Sequence, residues 1–324
     1  MWVLVIPFLL LLLSLVTVIL LVLKRWKWGL ICAAMCVIIN VWSETFPLNP
    51  QIIKNARSFD LRVASYNIDC LGSGEKKEGW EKELISFIED SNPDILFLAE
   101  FQYHDFGRYS YLLDSISHTR FFKTVVDVRF GRKDVVYSKY SIKDFHVITI
   151  NPECCENSGQ YKEITESYYQ NLNPMIYQMT MEVKGKNIQV VCCHLASNEF
   201  NVAKRDFRNT GLNGIFTNLG KGYVYRDIEA NTIVKALDPS VPTILMGDLN
   251  DINGSSVMSI FKNAGLNDAW WQVGSGYGHT YNKHGLYFRL DHILVSDFLS
   301  VVEMRVPRYE ASDHYPVVAD IIIK

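Results

Sequence analysis

Cysteine pairs with metal-binding spacing, low-complexity tracts and internal repeats are all absent from this sequence. The seven cysteines include no C-x-x-C pair and no Cys/His spacing typical of zinc. The composition is close to that of ordinary globular proteins, so fibrous and disordered classes are excluded. The cysteines are therefore interpreted as small buried hydrophobic residues, and the adjacent pair Cys192-Cys193 should point to opposite faces of one strand.

Acidic residues are missing from residues 1–43, which hold only three charged side chains, all of them positive. Residues 44–324 then carry 29 Lys and Arg against 35 Asp and Glu, a formal charge of −6. A body with net negative charge does not attract polyanions over long distances. This argues against a protein that binds DNA non-specifically over a broad surface, although basic groups inside a cleft stay compatible with the sequence.

Two apolar runs fill the N-terminal region. The first, Trp2 to Leu23, can cross roughly 30 Å of hydrocarbon at about 1.5 Å per residue. A cationic turn at 24–27 separates it from a shorter run, Trp28 to Trp42, which Asn40 interrupts. We predict a membrane anchor of two transmembrane helices at about 2–23 and 27–43, a linker at 44–60 and a folded domain at 61–324.

The position of the cations decides between the alternatives for this region. A cleaved signal peptide carries its cations before the apolar stretch, whereas here they follow it. A two-helix hairpin is favoured over a single anchor followed by a helix that lies in the membrane interface. Because cationic loops face the cytoplasm, the hairpin predicts a multi-pass protein of the cell membrane with its body on the periplasmic or extracellular side.

The body alternates apolar strand patterns with amphipathic helix patterns. Many strands with few long helices predict an α/β fold in one domain, with two packed sheets and helices outside. The predicted strands are 61–66, 94–99, 122–128, 133–137, 144–150, 175–183, 187–193, 242–247, 290–295 and 316–323. The predicted helices are 79–90, 224–237 and 255–263.

Polar side chains interrupt the apolar runs where the predicted strands begin or end. Each alone has an ordinary explanation, such as a turn-forming aspartate, a helix cap or a structural histidine. Their recurrence at strand ends, where a scaffold presents its loops to one face, indicates a functional site. The residues are Asn67, Glu100, Gln102, His194, Asp248, Asn250, Asp291, His292, Asp313 and His314.

These residue types suit the hydrolysis of a phosphate ester. The reaction needs neutralisation of charge on the non-bridging oxygens, an activated water and assistance to the leaving oxygen. Hard oxygen ligands without cysteine favour Mg²⁺ or Mn²⁺ over zinc. A histidine beside a carboxylate is kept protonated or correctly oriented near neutral pH, because the negative charge raises its pKa.

Five segments that carry these residues resemble the motifs of one known family. They are Val63-Ala-Ser-Tyr-Asn67, Asp94-Ile-Leu-Phe-Leu-Ala-Glu100, Ile244-Leu-Met-Gly-Asp-Leu-Asn250, Arg289-Leu-Asp-His-Ile-Leu294 and Ser312-Asp-His-Tyr-Pro316. The family is the endonuclease/exonuclease/phosphatase superfamily, which includes exonuclease III-like DNA repair enzymes, DNase I, bacterial sphingomyelinases and inositol polyphosphate 5-phosphatases. The resemblance covers residues 61–323. It implies a four-layer α/β sandwich, two packed mixed sheets flanked by helices, with the site at one end of the sheets.

The resemblance also implies a role for each site residue. Glu100 would be the principal Mg²⁺ ligand, with Asn67 beside it, and Asp313 would assist the metal or the leaving group. Asn67 would also contact the substrate.

The resemblance implies that Asp248 would orient or deprotonate the attacking water. Asn250 and His194 would hold the phosphate, and His194 would donate to its non-bridging oxygens. His314 paired with Asp291 would stabilise charge on the phosphoryl group. Whether Asp248 or His314 takes the proton from the water stays open.

Some segments depart from the family pattern. Ser141 stands where proline is common, and Phe288-Arg289-Leu290 replaces the Trp-Cys-Asp-Arg stretch of the 5-phosphatases, which argues against inositol phosphates. The irregular stretch 195–223, with Lys204, Arg205, Arg208 and Lys221, is interpreted either as a substrate clamp or as a solvated loop. The pair Trp270-Trp271 is more typical of a core or an interface than of a base-stacking platform.

The sequence leaves the substrate open between nucleic acid and a phospholipid or other small phosphodiester. A membrane anchor suits a phospholipid headgroup because it holds the site near such groups. It suits equally a nuclease retained at the cell surface. The alternative of a different class is a catalytically inactive, membrane-tethered binding module, and the intact polar set argues against it. No protein partner is implied.

Overall fold

The computed structural model describes residues 5–49, 58–69, 79–101, 122–127, 133–150, 175–197, 220–283 and 285–324. Most of the stretch 195–223, with Lys204, Arg205 and Arg208, lies outside these residues, as do Gln102 and most of the predicted linker.

The N-terminal region forms a helical hairpin. Helix α1 spans Ile6–Val22 and helix α2 spans Trp26–Ser43. Between them Lys24 has a positive φ of 56°, and its backbone N–H donates to the carbonyl of Leu21 at 3.0 Å, which closes a tight turn. The two helices lie side by side, since the Ser14 hydroxyl is 3.9 Å from the Cys36 sulfur.

The apolar side chains of both helices are largely exposed, from Leu11 in α1 to Trp42 in α2. Among the helices that the structure describes, α2 alone is long and apolar enough to cross a membrane by length and composition, and α1 is a shorter apolar helix. Only 11% of the apolar window of α2 is buried, which is unlike the core helix of a soluble protein.

The end of α2 is attached to the body. The Asn40 side chain bonds both the N–H and the carbonyl of Phe46, each at 2.8 Å, and so turns the chain after the helix. Asn253 of the body donates to the carbonyl of Glu44 at 2.9 Å. At the same end of the hairpin, near the start of α1, the Phe8 ring meets Phe288 edge-on at 6.3 Å. The first residues of the predicted linker are therefore bound to the body.

Two six-stranded mixed sheets form the body. The first has the order β13-β14-β1-β2-β4-β3 and the second β5-β6-β7-β8-β12-β9, beside a separate hairpin β10-β11. The strands are β1 Leu61–Asn67, β2 Ile95–Ala99, β3 Phe122–Asp127, β4 Lys133–Ser138, β5 Ile142–Val147, β6 Met175–Val183, β7 Lys186–His194, β8 Thr243–Asp248, β9 Leu266–Asp268, β10 Tyr281–Lys283, β11 Leu286–Phe288, β12 Asp291–Ser296, β13 Leu299–Arg305 and β14 Val317–Ile323. The helices of the body are α3 Trp80–Ser91, α4 at 220–236, α5 Ser256–Asn263 and α6 Ala269–Val273.

Three apolar layers hold these elements together. The largest lies between the sheets, where Phe97 and Val190 are fully buried. A second fills the space under α3 around Phe87, and a third lies under α4 and α5 around Phe261. Helix, sheet, sheet and helix make four layers, so the predicted α/β sandwich is confirmed. Cys192 and Cys193 fall in different layers, as the alternation along a strand predicts.

The predicted elements agree with these bounds within a few residues, with two shifts. The strand expected at 144–150 is β5 at 142–147, and the helix expected at 224–237 is α4 at 220–236. The sequence did not predict β9, β13, α6 or the hairpin β10-β11. All of these except β13 are five residues or shorter, too short for an apolar period to be visible, and β13 carries a bulge between Val301 and Glu303.

Candidate active site

Strand pairing brings the polar strand ends to one rim. Strands β1 and β2 are parallel, with Asn67 opposite Ala99, so Glu100 directly follows at the same edge. Strands β7 and β8 are parallel with His194 opposite Asp248, and antiparallel β12 places Asp291 opposite Asp248 as well. The carboxyl ends of neighbouring parallel strands share an edge, which is where α/β sheets present their ligand sites.

Asp248 lies at the centre of the group and is 1% exposed. Its Oδ2 accepts a hydrogen bond from Asn67 Nδ2 at 2.9 Å. The same oxygen is 3.8 Å from His194 Nε2 and 3.8 Å from His314 Nε2. Burial, together with the charge of Asp291, raises the pKa of the Asp248 carboxyl. One carboxylate is thus surrounded by an amide and two imidazoles that come from both sheets.

Glycine at position 247 allows this close approach. Gly247 has φ +148°, and a Cβ there would lie 1.8 Å from the carbonyl oxygen of Cys193 on β7. No side chain fits between the two strands at this point. The glycine of the Gly-Asp-Leu-Asn motif therefore lets β8 reach β7, which places Asp248 beside His194.

Glu100 faces Asp248 across the rim. Its Oε1 is 3.2 Å from Asn67 Nδ2 and 3.4 Å from His194 Nε2. The backbone of Glu100 has φ +53°, and its N–H donates to Asp134 Oδ1 at 2.8 Å. That bond holds a backbone conformation that side-chain-bearing residues rarely adopt.

Asp134 is a supporting residue that sequence reasoning missed. It is fully buried, accepts from the Tyr177 hydroxyl at 2.7 Å as well as from Glu100, and its pKa is raised by burial. The sequence carried little signal for it, because Asp134 follows Lys133 at the start of strand β4, where a charged side chain is ordinarily solvated.

His314 is paired with Asp291. Its Nδ1 is 2.7 Å from Asp291 Oδ2, and Asp291 has no solvent exposure. Burial alone would lower the pKa of His314, but the charges of Asp291 and Asp248 and this hydrogen bond outweigh it and raise the pKa to about 10. His314 is therefore a cation at neutral pH, with Nε2–H directed toward Asp248.

Asn250 and Asp313 have other partners. The N–H of Asn250, at φ +49°, donates to Asp248 Oδ1 at 2.8 Å, and its side chain donates to the carbonyl of Leu195 at 2.9 Å. Asn250 thus joins the loops that follow β8 and β7. Asp313 lies at the edge of the group, where its Oδ2 is 2.7 Å from Lys283 Nζ. Sequence reasoning did not identify Lys283.

Two buried arginines support the loops behind the rim. Arg226 of α4 bonds Asp251 at 3.1 Å and the carbonyl of Ala196 at 2.9 Å, so it ties the loops after β8 and β7 to one helix. Arg289 bonds Asp268 and also donates to His292 Nδ1 at 3.0 Å. Sequence reasoning assigned neither of them a role, although Arg289 opens one of the family-like segments, because an arginine within a helix or a loop carries no pattern that separates it from a surface cation.

His292 is a structural histidine. Because arginine can only donate, Nδ1 of His292 must accept from Arg289, and its Nε2–H then donates to the carbonyl of Asp251 at 3.0 Å. Burial and the adjacent guanidinium lower its pKa to about 4. A structural role was the ordinary explanation that the sequence allowed for a histidine near the start of a strand.

The donor set fits a hard divalent cation. Ligand atoms of Asp248, Asp291 and His314 lie within 4.8 Å of one another. Two of these residues also bond each other, through Nδ1 of His314 and Oδ2 of Asp291. The rim holds several buried carboxylates, and a cation there would offset the cost of burying their charge.

Comparisons with known proteins bear on the family and the fold of the chain. A sequence model of the Endonuclease/Exonuclease/phosphatase family matches residues 190–314. No curated protein matches the chain by sequence. A structure of an endonuclease/exonuclease/phosphatase from Beutenbergia cavernae has a TM-score of 0.56 at 18% identity, and covers 82% of this chain and 72% of that one. The chain has the endonuclease/exonuclease/phosphatase superfamily fold. The resemblance predicted from the motifs is confirmed.

Two further structures of this superfamily fold are similar to the chain. The human Nocturnin catalytic domain with bound sulfate has a TM-score of 0.56 at 20% identity, with 82% of this chain and 94% of that one covered. The 3′ phosphatase NExo from Neisseria, bound to a product DNA hairpin, has a TM-score of 0.54 at 15% identity, with 80% and 98% covered. The fold is thus of the type found in phosphoesterases.

Proposed function

We propose that this protein is a membrane-anchored phosphoesterase that depends on Mg²⁺ or Mn²⁺ and hydrolyses phosphodiester or phosphomonoester bonds. The observation that carries the proposal is the position of Asp248. Its Oδ2 lies 2.9 Å from Asn67 and 3.8 Å from each of His194 and His314. A carboxylate that faces two imidazoles across a rim is suited to act on a water molecule next to a phosphate.

The metal would be held by Glu100 and Asn67. The Glu100 carboxylate matches the preference of Mg²⁺ for oxygen ligands, and Asp134 fixes the backbone of Glu100 from behind. Asn67 Oδ1 would exchange its bond to the Asp69 N–H for the cation. When bound, the cation would neutralise charge on the non-bridging oxygens of the phosphate.

The proton of the attacking water would go to Asp248 rather than to His314. The pKa of His314 is about 10, so at neutral pH its imidazole is already protonated and acts as a hydrogen-bond donor. The pKa of Asp248 is raised, which makes it a stronger base than an exposed aspartate. His314, held by Asp291, and His194 would then stabilise negative charge on the phosphoryl oxygens. Asn250 would hold the phosphate once its bond to Leu195 opens, and Asp313 would act from the leaving-group side.

The hairpin of α1 and α2 would anchor the enzyme in the cell membrane. The exposed apolar surface of both helices supports this. The cationic turn at Lys24 lies at the opposite end of the hairpin from Glu44, where the body begins. With the turn in the cytoplasm, the body would lie on the periplasmic or extracellular side of a multi-pass protein.

The substrate would be nucleic acid or a phospholipid-type headgroup. The DNA product in the structure of NExo supports the first class, and the anchor supports the second. The sulfate bound to Nocturnin is an oxyanion with the shape of phosphate, which supports either one.

A substrate panel tests the proposal. The full-length chain in detergent would be assayed with Mg²⁺ or Mn²⁺ on supercoiled DNA, abasic DNA, sphingomyelin, phosphatidylinositol phosphates and bis-aryl phosphate. We expect hydrolysis of at least one substrate, abolition by EDTA and restoration by the metal. Full activity in chelator would reject the metal dependence. No hydrolysis of any substrate would favour an inactive binding module of the same fold.

A further inference from the structure

Lys283 lies between two carboxylates at the edge of the candidate active site. Its Nζ is 2.7 Å from Asp313 Oδ2 and 3.7 Å from Asp69 Oδ2. Each carboxylate belongs to a segment that carries a site residue. Asp69 follows Asn67 by two positions, and its N–H donates to Asn67 Oδ1 at 2.9 Å. Asp313 directly precedes His314. One ammonium group therefore joins the metal side of the rim to the histidine side.

The hairpin β10-β11 holds Lys283 in this position. The N–H of Asn282 donates to the carbonyl of Asp313 at 2.8 Å. Tyr281 forms an isolated β-bridge with His314, and its ring lies edge-on to the imidazole at 5.1 Å. Burial would lower the pKa of Lys283, but its bond to Asp313 and the charges of Asp313 and Asp69 outweigh it and raise that pKa. The ammonium is thus charged at every physiological pH, and the backbone just before Lys283 is bonded to the segment of Asp313 and His314.

We propose that Lys283 is a fixed cation of the active site, so that the centre takes one divalent metal ion, at Glu100 and Asn67, and no second one at Asp313. This inference rests on the proposed phosphoesterase function. A second metal ion at Asp313 would have to displace an ammonium that lies 2.7 Å from the carboxylate oxygen. Two cations at that distance repel each other strongly in a partly buried site. The ligand role that the sequence implied for Asp313 is therefore replaced by an ion pair.

Lys283 also places a positive charge where it can contact the substrate phosphate. Its side chain is 38% exposed, so the ammonium can meet a phosphate oxygen while it stays paired with Asp313. An ammonium is a compact charge with three donors, which suits a phosphate that sits between the metal and an adjacent histidine. In a body of net charge −6, such a local cation draws a phosphate group to the rim without a basic groove.

Counting bound metal tests the proposal apart from activity. Binding of Mn²⁺ to the metal-free full-length chain in detergent would be measured by calorimetry and by electron paramagnetic resonance. We expect one equivalent for the wild type. Glu100→Gln should weaken Mn²⁺ binding by at least ~10-fold, whereas Asp313→Asn should change it by less than about threefold. Lys283→Met removes the ammonium that is paired with Asp313, so this variant should gain a second, weaker equivalent.

Activity supplies the second readout. Lys283→Met should lower kcat/KM by at least ~10-fold, and Lys283→Arg should retain more of it because the charge is kept. The matched control is Lys143→Met, since Lys143 also pairs with a carboxylate, Glu182 at 3.2 Å, on strands away from the rim. The control should leave both metal binding and activity unchanged.

The outcomes separate this inference from the function on which it rests. In an active enzyme, two equivalents of Mn²⁺ bound to the wild type would overturn the single-ion assignment. The same holds if Asp313→Asn loses as much Mn²⁺ affinity as Glu100→Gln. Unchanged kcat/KM in Lys283→Met would overturn the contact with substrate. A wild type that binds one Mn²⁺ and hydrolyses nothing would instead contradict the proposed function.

Discussion

His314 and Asp291 form a buried ion pair in which Nδ1 donates to Oδ2 at 2.7 Å, although the two residues come from different sheets. Asp291 starts β12, and His314 precedes β14. Because Asp291 has no solvent exposure, its charge acts on His314 without screening by water. The pair therefore joins the two halves of the sandwich at the rim and keeps one imidazole protonated.

Replacement of Asp291 by asparagine should remove this effect. With a neutral partner the pKa of His314 falls, since the largest of the charges that oppose burial is removed and the charge of Asp248 remains. We expect turnover at pH 7 to drop by at least ~10²-fold and the alkaline limb of the pH profile to move to lower pH. The measurement is kcat between pH 6 and 10, with His314→Gln as the control that removes the titrating group. An alkaline limb at an unchanged pH in Asp291→Asn would contradict the assignment.

Gly247→Ala should destabilise the fold strongly. The new Cβ would overlap the carbonyl of Cys193, and φ +148° is unfavourable for any side chain. We expect a loss of at least ~2 kcal/mol in the free energy of unfolding. The matched control is Gly185→Ala, where φ is +76° but no atom lies within 4 Å of the added Cβ, so only the backbone term of about 1 kcal/mol remains. Equal losses in the two variants, measured by denaturant unfolding, would show that contact with β7 is unimportant.

Sequence patterns predict most of the sheet framework and the central site residues for a shared physical reason. A buried strand is recognised in the sequence as an apolar run. A polar residue at the end of that run, such as Asn67 or Asp248, is therefore easy to identify. Asp134 could not be identified in this way, because its partners Tyr177 and Glu100 are distant in the chain and meet it only after the sheets pack. Lys283 lies in a three-residue strand without any apolar pattern.

Asp134→Ala should weaken metal binding although Asp134 itself would not contact the metal. The variant removes the acceptor that holds the N–H of Glu100, so the backbone at φ +53° can relax and its carboxylate can turn away. We expect Mn²⁺ affinity to fall by ~10-fold or more, in the range found for outer partners of metal ligands. Tyr177→Phe is the control, since it deletes the other bond of Asp134 and keeps the one to Glu100. Its effect on affinity should be clearly smaller, and the reverse order would reject the role of Asp134.

Removal of residues 1–43 should yield a soluble and active body. The exposed apolar surface on which the proposed membrane anchor rests lies on α1 and α2, whereas Glu44 and Asn49 still bond the body through Asn253 and Trp271. A cut before Glu44 keeps these contacts and exposes the face of Phe288 that Phe8 covers. Sedimentation with membranes, before and after truncation, together with the activity of each form, checks this. A truncated protein that is folded but inactive would show that the helices do more than anchor.

His292 should make the fold less stable as pH falls below about 6.5. Its pKa is lowered from 6.5 to about 4 by burial and by Arg289. Between these two pH values the imidazole is therefore protonated in the unfolded chain and neutral in the folded chain. The stabilisation is fully present above pH 6.5 and is lost progressively as pH falls toward 4, which amounts to about 2 kcal/mol at pH 5. His292→Gln removes this titration, so its free energy of unfolding should depend less on pH between 7 and 5 than that of the wild type. His146→Gln, at an exposed position, serves as the control and should keep the wild-type dependence. An equal pH dependence in wild type and His292→Gln, measured by urea unfolding in detergent, would mean that His292 is not held neutral by Arg289.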